Sequence, residues 1–125
     1  MREKVIIFGG FGFIGFKLAI KLCELGFKVD IIDLNNNKKL IKYLQNKHRG
    51  SFTYKKYNLA EVRSFKNLRK YNYNYIFDCA AWLGVDKIIN NSYRSLKNNI
   101  DIAFNISEFA KKQKKLKKII FMSSS

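Results

Sequence analysis

Apolar residues gather in five short runs, at residues 5–8, 27–33, 51–57, 75–79 and 119–122, each rich in Val, Ile, Phe or Tyr. Runs of this length and composition, bounded by Gly, Asn or Lys, predict strands, and the unbroken apolarity of 5–8 predicts one buried on both faces. Between them the spacing turns helical. From Phe13 the positions Phe13, Ile14, Leu18, Ile20 and Leu22 recur at near-helical intervals up to a stop at Gly26. After the Asn35, Asn36 and Asn37 turn, Leu40, Ile41 and Leu44 mark a helix over 38–47, and a brief helix is expected over 60–68. The longest helix is expected over 92–114, with Leu96, Ile100, Ala103, Phe104, Ile106 and Phe109 as its buried stripe. Strands and helices alternating in this rhythm require right-handed crossovers, hence an α/β domain with a five-stranded parallel sheet, order 3-2-1-4-5, covered by helices on both faces.

The first strand runs into Gly9, Gly10, Phe11, Gly12, Phe13, Ile14 and Gly15, and a helix opens within that run. Gly9 permits a tight turn, Gly12 lets backbone approach a pyrophosphate with no Cβ in the way, and Gly15 lets helix and strand pack closely. The amides around Phe13 and Ile14 then face phosphate at the positive end of the helix dipole. Asp33 closes the second strand, where a carboxylate accepts from both ribose hydroxyls and repels the 2'-phosphate of NADP, which favours NAD as cofactor despite the nearby Lys38 and Lys39. Asn35, in the turn that follows, joins the cofactor-binding set. Together these features define a Rossmann-type, doubly wound fold.

Composition narrows the picture further. At 125 residues and 47% hydrophobic content the chain supports one domain spanning 1–125. The formal charge of +16 raises the question of nucleic acid. No nucleic-acid motif accompanies it, and abundant Lys, Asn, Ile, Phe and Tyr with no Pro match the drift of an A- and T-rich coding sequence, so no specific nucleic-acid partner is expected. The lysine-rich stretch 111–118 reads as a solvated helix end. Cys23 and Cys79 lie far apart in apolar runs without metal-ligand spacing, which predicts reduced thiols, no metal and a cytoplasmic setting. The glycine-broken start lacks a cleavage site, and no apolar run approaches the ~20 residues a membrane span needs, so no membrane association is expected.

The glycine run, Val29 to Asp33, the Asn58 and Leu59 pair, Cys79, Ala80 and Ala81, Asn99 and Ile100, and Ile119 to Ser124 occur in the order and spacing of the extended short-chain dehydrogenase/reductases. The chain resembles their N-terminal, NAD-binding half, and within them the NAD-dependent sugar-nucleotide epimerases and dehydratases. The resemblance implies that Asn58 and Leu59 sit beside the adenine, where the family usually has Asp before the aliphatic residue. It implies that Ala80, Ala81 and Asn99 line the cofactor's central portion. It makes Ser124, with Ser125 as fallback, the catalytic serine that bonds the substrate hydroxyl.

The family's chemistry is hydride transfer at the nicotinamide, assisted by a Tyr-x-x-x-Lys pair whose lysine lowers the tyrosine pKa. That pair would follow residue 125. Tyr43 and Lys47 fit its letters but lie on the helix between the second and third strands, remote from Ser124. The implied function is therefore the NAD-binding domain of a sugar-nucleotide epimerase, dehydratase or reductase, truncated and inactive alone, with the nucleotide-sugar substrate bound only when the C-terminal half is supplied. A non-catalytic NAD sensor or partner-binding module is the alternative. Ending at the fifth strand leaves residues 119–122 as an apolar edge, from which self-association or a homodimer is expected.

Overall fold

The computed structural model describes residues 2–68, 72–80 and 89–122. Five strands, β1 (Lys4–Phe8), β2 (Lys28–Asp33), β3 (Phe52–Lys56), β4 (Tyr75–Asp78) and β5 (Lys118–Phe121), form one sheet in the order β3-β2-β1-β4-β5. Every adjacent pair is parallel, with Val5 of β1 opposite both Val29 of β2 and Tyr75 of β4. The expected order and class are both found.

Alternation along the central strand divides the core in two. Val5 and Ile7 point to one face, where they meet Ala19 and Leu22 of α1 (Phe13–Glu24) and Leu44 of α2 (Lys38–Lys47). Ile6 and Phe8 point to the other, toward Ile102, Ile106 and Phe109 of α3 (Ser92–Lys111) and Phe65 and Leu68 of a 3-10 helix (Val62–Leu68). Val5, Ile6, Ile7 and Phe8 are all fully buried, as a central parallel strand requires. On the α3 face the ring of Phe109 meets Phe8 edge-on at 5.8 Å and Phe65 at 5.6 Å. Such pairs add directional preference to plain burial.

Local chemistry ends the elements where it should. Gly26, at φ +91°, closes α1 in a Schellman turn, with the Phe27 amide donating to Leu22 O (3.0 Å) and the Gly26 amide to Cys23 O (3.1 Å). Asn37 caps α2 by accepting from the Leu40 amide at 3.2 Å. The expected helix over 60–68 is a tighter 3-10 turn over 62–68, because i to i+3 bonds from Glu61 N to Asn58 O and Ser64 N to Glu61 O wind it closer. Helix α3 stops at Lys111 rather than 114. Gln113 turns inward there, and its Oε1 accepts from the buried Tyr73 amide at 2.9 Å.

Four of the six residues expected in the buried stripe of α3 are exposed. Ile106 and Phe109 are buried, but Ala103 is exposed and Leu96, Ile100 and Phe104 are 61%, 56% and 61% exposed. The helix carries apolar residues on two opposite sides, and the side that packs holds Ser95, Ile102, Asn105, Ile106 and Phe109. Asn105 explains the rotation: its side-chain amide donates to Leu59 O at 3.0 Å in the core, a bond no apolar residue could make. No helix among the described residues is long and apolar enough to cross a membrane.

Two truncations separate the faces. Ile106→Ala should cost about 2–5 kcal/mol in urea unfolding, as a buried large-to-small change does, while Phe104→Ala should stay within about 0.5 kcal/mol. Equal losses would contradict the assignment of the packed side.

Candidate functional site at the carboxyl edge of the sheet

The carboxyl ends of β1, β2, β3 and β4 lie along one edge, and backbone bonds lock the turns that leave them. The Gly9 amide donates to Ile32 O at 2.7 Å, Cys79 N to Phe8 O at 2.8 Å, and Tyr57 N to Asp33 O at 3.0 Å. Gly9 is at φ +79°, and a Cβ on it would meet the backbone of Cys79 and Ala80 at 2.7 Å. Gly15 is equally constrained, since a Cβ there would run into the Gly9 carbonyl. These two glycines are demanded by the protein's own packing.

Gly12 differs. Its φ of −74° suits any residue, and a Cβ would meet nothing nearer than Gly9 O at 3.4 Å. It is exposed and serves as the N-cap of α1 with no side-chain cap, and the first turn holds no acidic residue. Among the described residues no protein group accepts from the Phe13 or Ile14 amides, while Phe13 and Ile14 themselves are 79% and 56% exposed. An open helix N-terminus with free amides and a clear approach accommodates a phosphate.

Asp33 closes β2 beside this turn. Its Oδ2 accepts from the Phe11 amide (3.0 Å) and its Oδ1 from the Asn35 amide (3.1 Å), so one carboxylate ties the glycine turn to the loop after β2. Each oxygen keeps a further lone pair for a ligand hydroxyl. Asn35 is exposed, and its backbone joins this group. At the end of β3, Asn58 is exposed, but Leu59 is 4% exposed and belongs to the core, so Asn58 is the accessible member of the expected pair. Ala80 is half-buried against Gly9, and Asn99 is half-buried in the second turn of α3. Ala81, Ser124 and Ser125 lie outside the described residues.

Two polar residues of this edge escaped the sequence reading. Asp78, 8% exposed at the end of β4, accepts from the Ala80 amide at 3.0 Å, and burial pushes its carboxyl above the usual range. A carboxylate closing a buried apolar strand was the available signal. Asn105 holds the loop after β3 from below, and a polar residue at core spacing was its signal. Burial pushes the thiols of Cys23 and Cys79 up to about 11, the latter aided by the neighbouring Asp78 charge, so both are poor nucleophiles at neutral pH.

Fold and site together define a dinucleotide-binding α/β domain. Residues 5–125 match the model of the NAD dependent epimerase/dehydratase family, and the chain belongs to that family. It is 34% identical over 125 residues to a UDP-N-acetyl-alpha-D-glucosaminuronate decarboxylase of Bacillus cytotoxicus, covering all of this chain and 37% of that protein. Its fold matches the UDP-Glc/GlcNAc 4-epimerase of Campylobacter jejuni with a TM-score of 0.84 at 22% identity, over 95% of this chain and 36% of that one. It also matches the UDP-glucose 4-epimerase of Bifidobacterium longum, solved with NAD+ and UDP, with a TM-score of 0.85 at 21% identity, over 98% and 37% of the two chains. The chain thus spans little more than a third of the length of these relatives.

The glycines divide into those the fold needs and one it does not. Gly15→Ala should lose about 2 kcal/mol or more from overpacking, whereas Gly12→Ala should lose no more than about 1 kcal/mol at an N-cap. Thermal unfolding checks both, and a severe loss from Gly12→Ala would contradict the open approach.

Proposed function

We propose that this chain is the NAD-binding portion of a nucleotide-sugar epimerase, dehydratase or reductase. The observation that carries the reading is the coupling of an uncapped α1 N-terminus to the Asp33 carboxylate through the Phe11 amide. The Phe13 and Ile14 amides and the α1 dipole hold the pyrophosphate, and Asp33 orients the adenosine ribose through its hydroxyls. A 2'-phosphate would meet the same carboxylate, so NADP is disfavoured, and the exposed Lys38 and Lys39 only soften that repulsion. Asn35, Ala80, Ala81 and Asn99 border the cofactor on this reading, with Gly9 and Gly15 shaping the turn beneath it.

Bound NAD supplies reversible hydride transfer at its nicotinamide. Ser124 is the proposed hydrogen-bonding partner of the substrate hydroxyl. Proton transfer falls to a Tyr-x-x-x-Lys pair in a portion beyond these 125 residues, so the chain alone should bind cofactor and turn nothing over. The epimerases named above carry UDP-sugars in their names, and a nucleotide sugar is the substrate class proposed here for the whole protein.

Calorimetry should show NAD binding that Asp33→Ala weakens by about tenfold to a hundredfold, the loss of hydrogen bonds to a charged group, with NADP binding more weakly than NAD to the unaltered chain. NAD binding insensitive to Asp33→Ala, or a preference for NADP, would overturn the assignment.

A further inference from the structure

Three lysines surround one carboxylate on the sheet face that also carries Ile6 and Phe8. Asp30 of β2 lies opposite Ile6 and Thr53, so strand alternation puts Lys28, Lys4 and Lys55 on its own face, each two positions away along β2, β1 or β3. Lys4 is also the direct cross-strand partner of Lys28, which sets like charges side by side. A cavity of about 160 Å³ opens among these four residues, and Thr53 and Tyr73 join its lining. Lys4 and Lys28 open their strands, so the cavity lies toward the amino ends, away from the edge that holds Gly9 and Asp33.

The hydroxyls of this cavity are committed. Thr53 Oγ1 donates to Asp30 Oδ1 at 2.5 Å, and Tyr73 Oη donates to Asp30 Oδ2 at 2.5 Å. Tyr73 is itself fixed, fully buried with its amide donating to Gln113 Oε1 at 2.9 Å. With both hydroxyl protons given to the carboxylate, the donors left for a guest are the lysine ammonium groups, and the acceptors include the remaining lone pairs of Asp30. Three positive charges against one negative make the cavity attractive to an anion. A guest that carries a proton can donate it to Asp30, whereas a bare oxyanion would meet the carboxylate lone pair to lone pair.

We propose that this cavity is a binding site for hydrogen phosphate. The lysines hold its acceptor oxygens, and Asp30 accepts its proton-bearing oxygen's hydrogen bond. Phosphate keeps at least one proton at neutral pH, while sulfate, of the same tetrahedral shape, keeps none. Selection of phosphate over sulfate is therefore the signature of Asp30, and general charge attraction cannot produce it. The proposal stands independently of the dinucleotide reading.

The experiment is titration of the isotope-labelled full chain with inorganic phosphate and with sulfate at neutral pH, with sodium chloride holding the ionic strength constant. Phosphate should move the amides of Lys4, Lys28, Asp30 and Thr53 with one saturable affinity, at least about tenfold tighter than sulfate, the worth of one hydrogen bond to a charged group. Asp30→Asn should bring the two anions within about threefold of each other, since the amide no longer repels a bare oxyanion. The pair Lys28→Gln and Lys55→Gln should weaken phosphate by about tenfold or more, while the exposed pair Lys42→Gln and Lys114→Gln, with the same net charge, should leave it within about twofold. Circular dichroism confirms that each variant folds, and the comparison of anions on the unaltered chain decides the matter without them. Equal binding of phosphate and sulfate to that chain, or an equal loss from both lysine pairs, overturns the proposal. Shifts confined to the Phe13 and Ile14 amides also overturn it, and leave the cofactor reading intact.

Discussion

Close approach of α1 to the end of β1 is the constraint on which the rest depends. Gly15 packs against the Gly9 carbonyl, and Gly9 packs against the backbone that leaves β4, so three elements meet where no side chain fits. This contact sets the α1 N-terminus at the carboxyl edge instead of letting it lift away. The Phe11 to Asp33 bond then fixes the turn against β2. Given that placement, the free amides and the carboxylate lie at one edge, where the proposed dinucleotide would meet both.

The two cores serve this arrangement unequally. The face under α1 and α2 is filled by aliphatic side chains, Cys23 and flanking aromatic rings, and supports the glycine turn directly. The face under α3 admits Asn105 and Gln113 among its aromatic rings, each bonded to backbone that no strand satisfies, Leu59 O and Tyr73 N respectively. Burying an amide costs little when it meets such a partner, and here it holds the loops after β3 and before β4 in place. Asn105 thus shapes the carboxyl edge, whereas Gln113 secures the opposite, amino end of β4.

Much of the fold was legible because its signals are local. Short β-branched runs, the glycine turn and the Gly26 stop each act within a few residues, and the strands and α1 and α2 stand where these placed them. The packed side of α3 was not legible. Leu96, Ile100 and Phe104 make as good a helical stripe as Ile102, Ile106 and Phe109, and tertiary contacts, the ring packing of Phe109 and the bond from Asn105 to Leu59 among them, decide between the two. At the site, glycines and Asp33 could be read from motif and position, whereas the polarity of Asn58 depends on a bond to Ala60 that letters do not reveal.

Chemical-shift mapping with ADP-ribose tests the central claim most directly, since that ligand carries only the parts the clamp should hold. Titration into isotope-labelled protein should move the amides of Phe11, Gly12, Phe13, Ile14 and Asn35 together, with one shared affinity. Shifts that leave these amides untouched, or that map to the opposite end of the strands, would contradict the account.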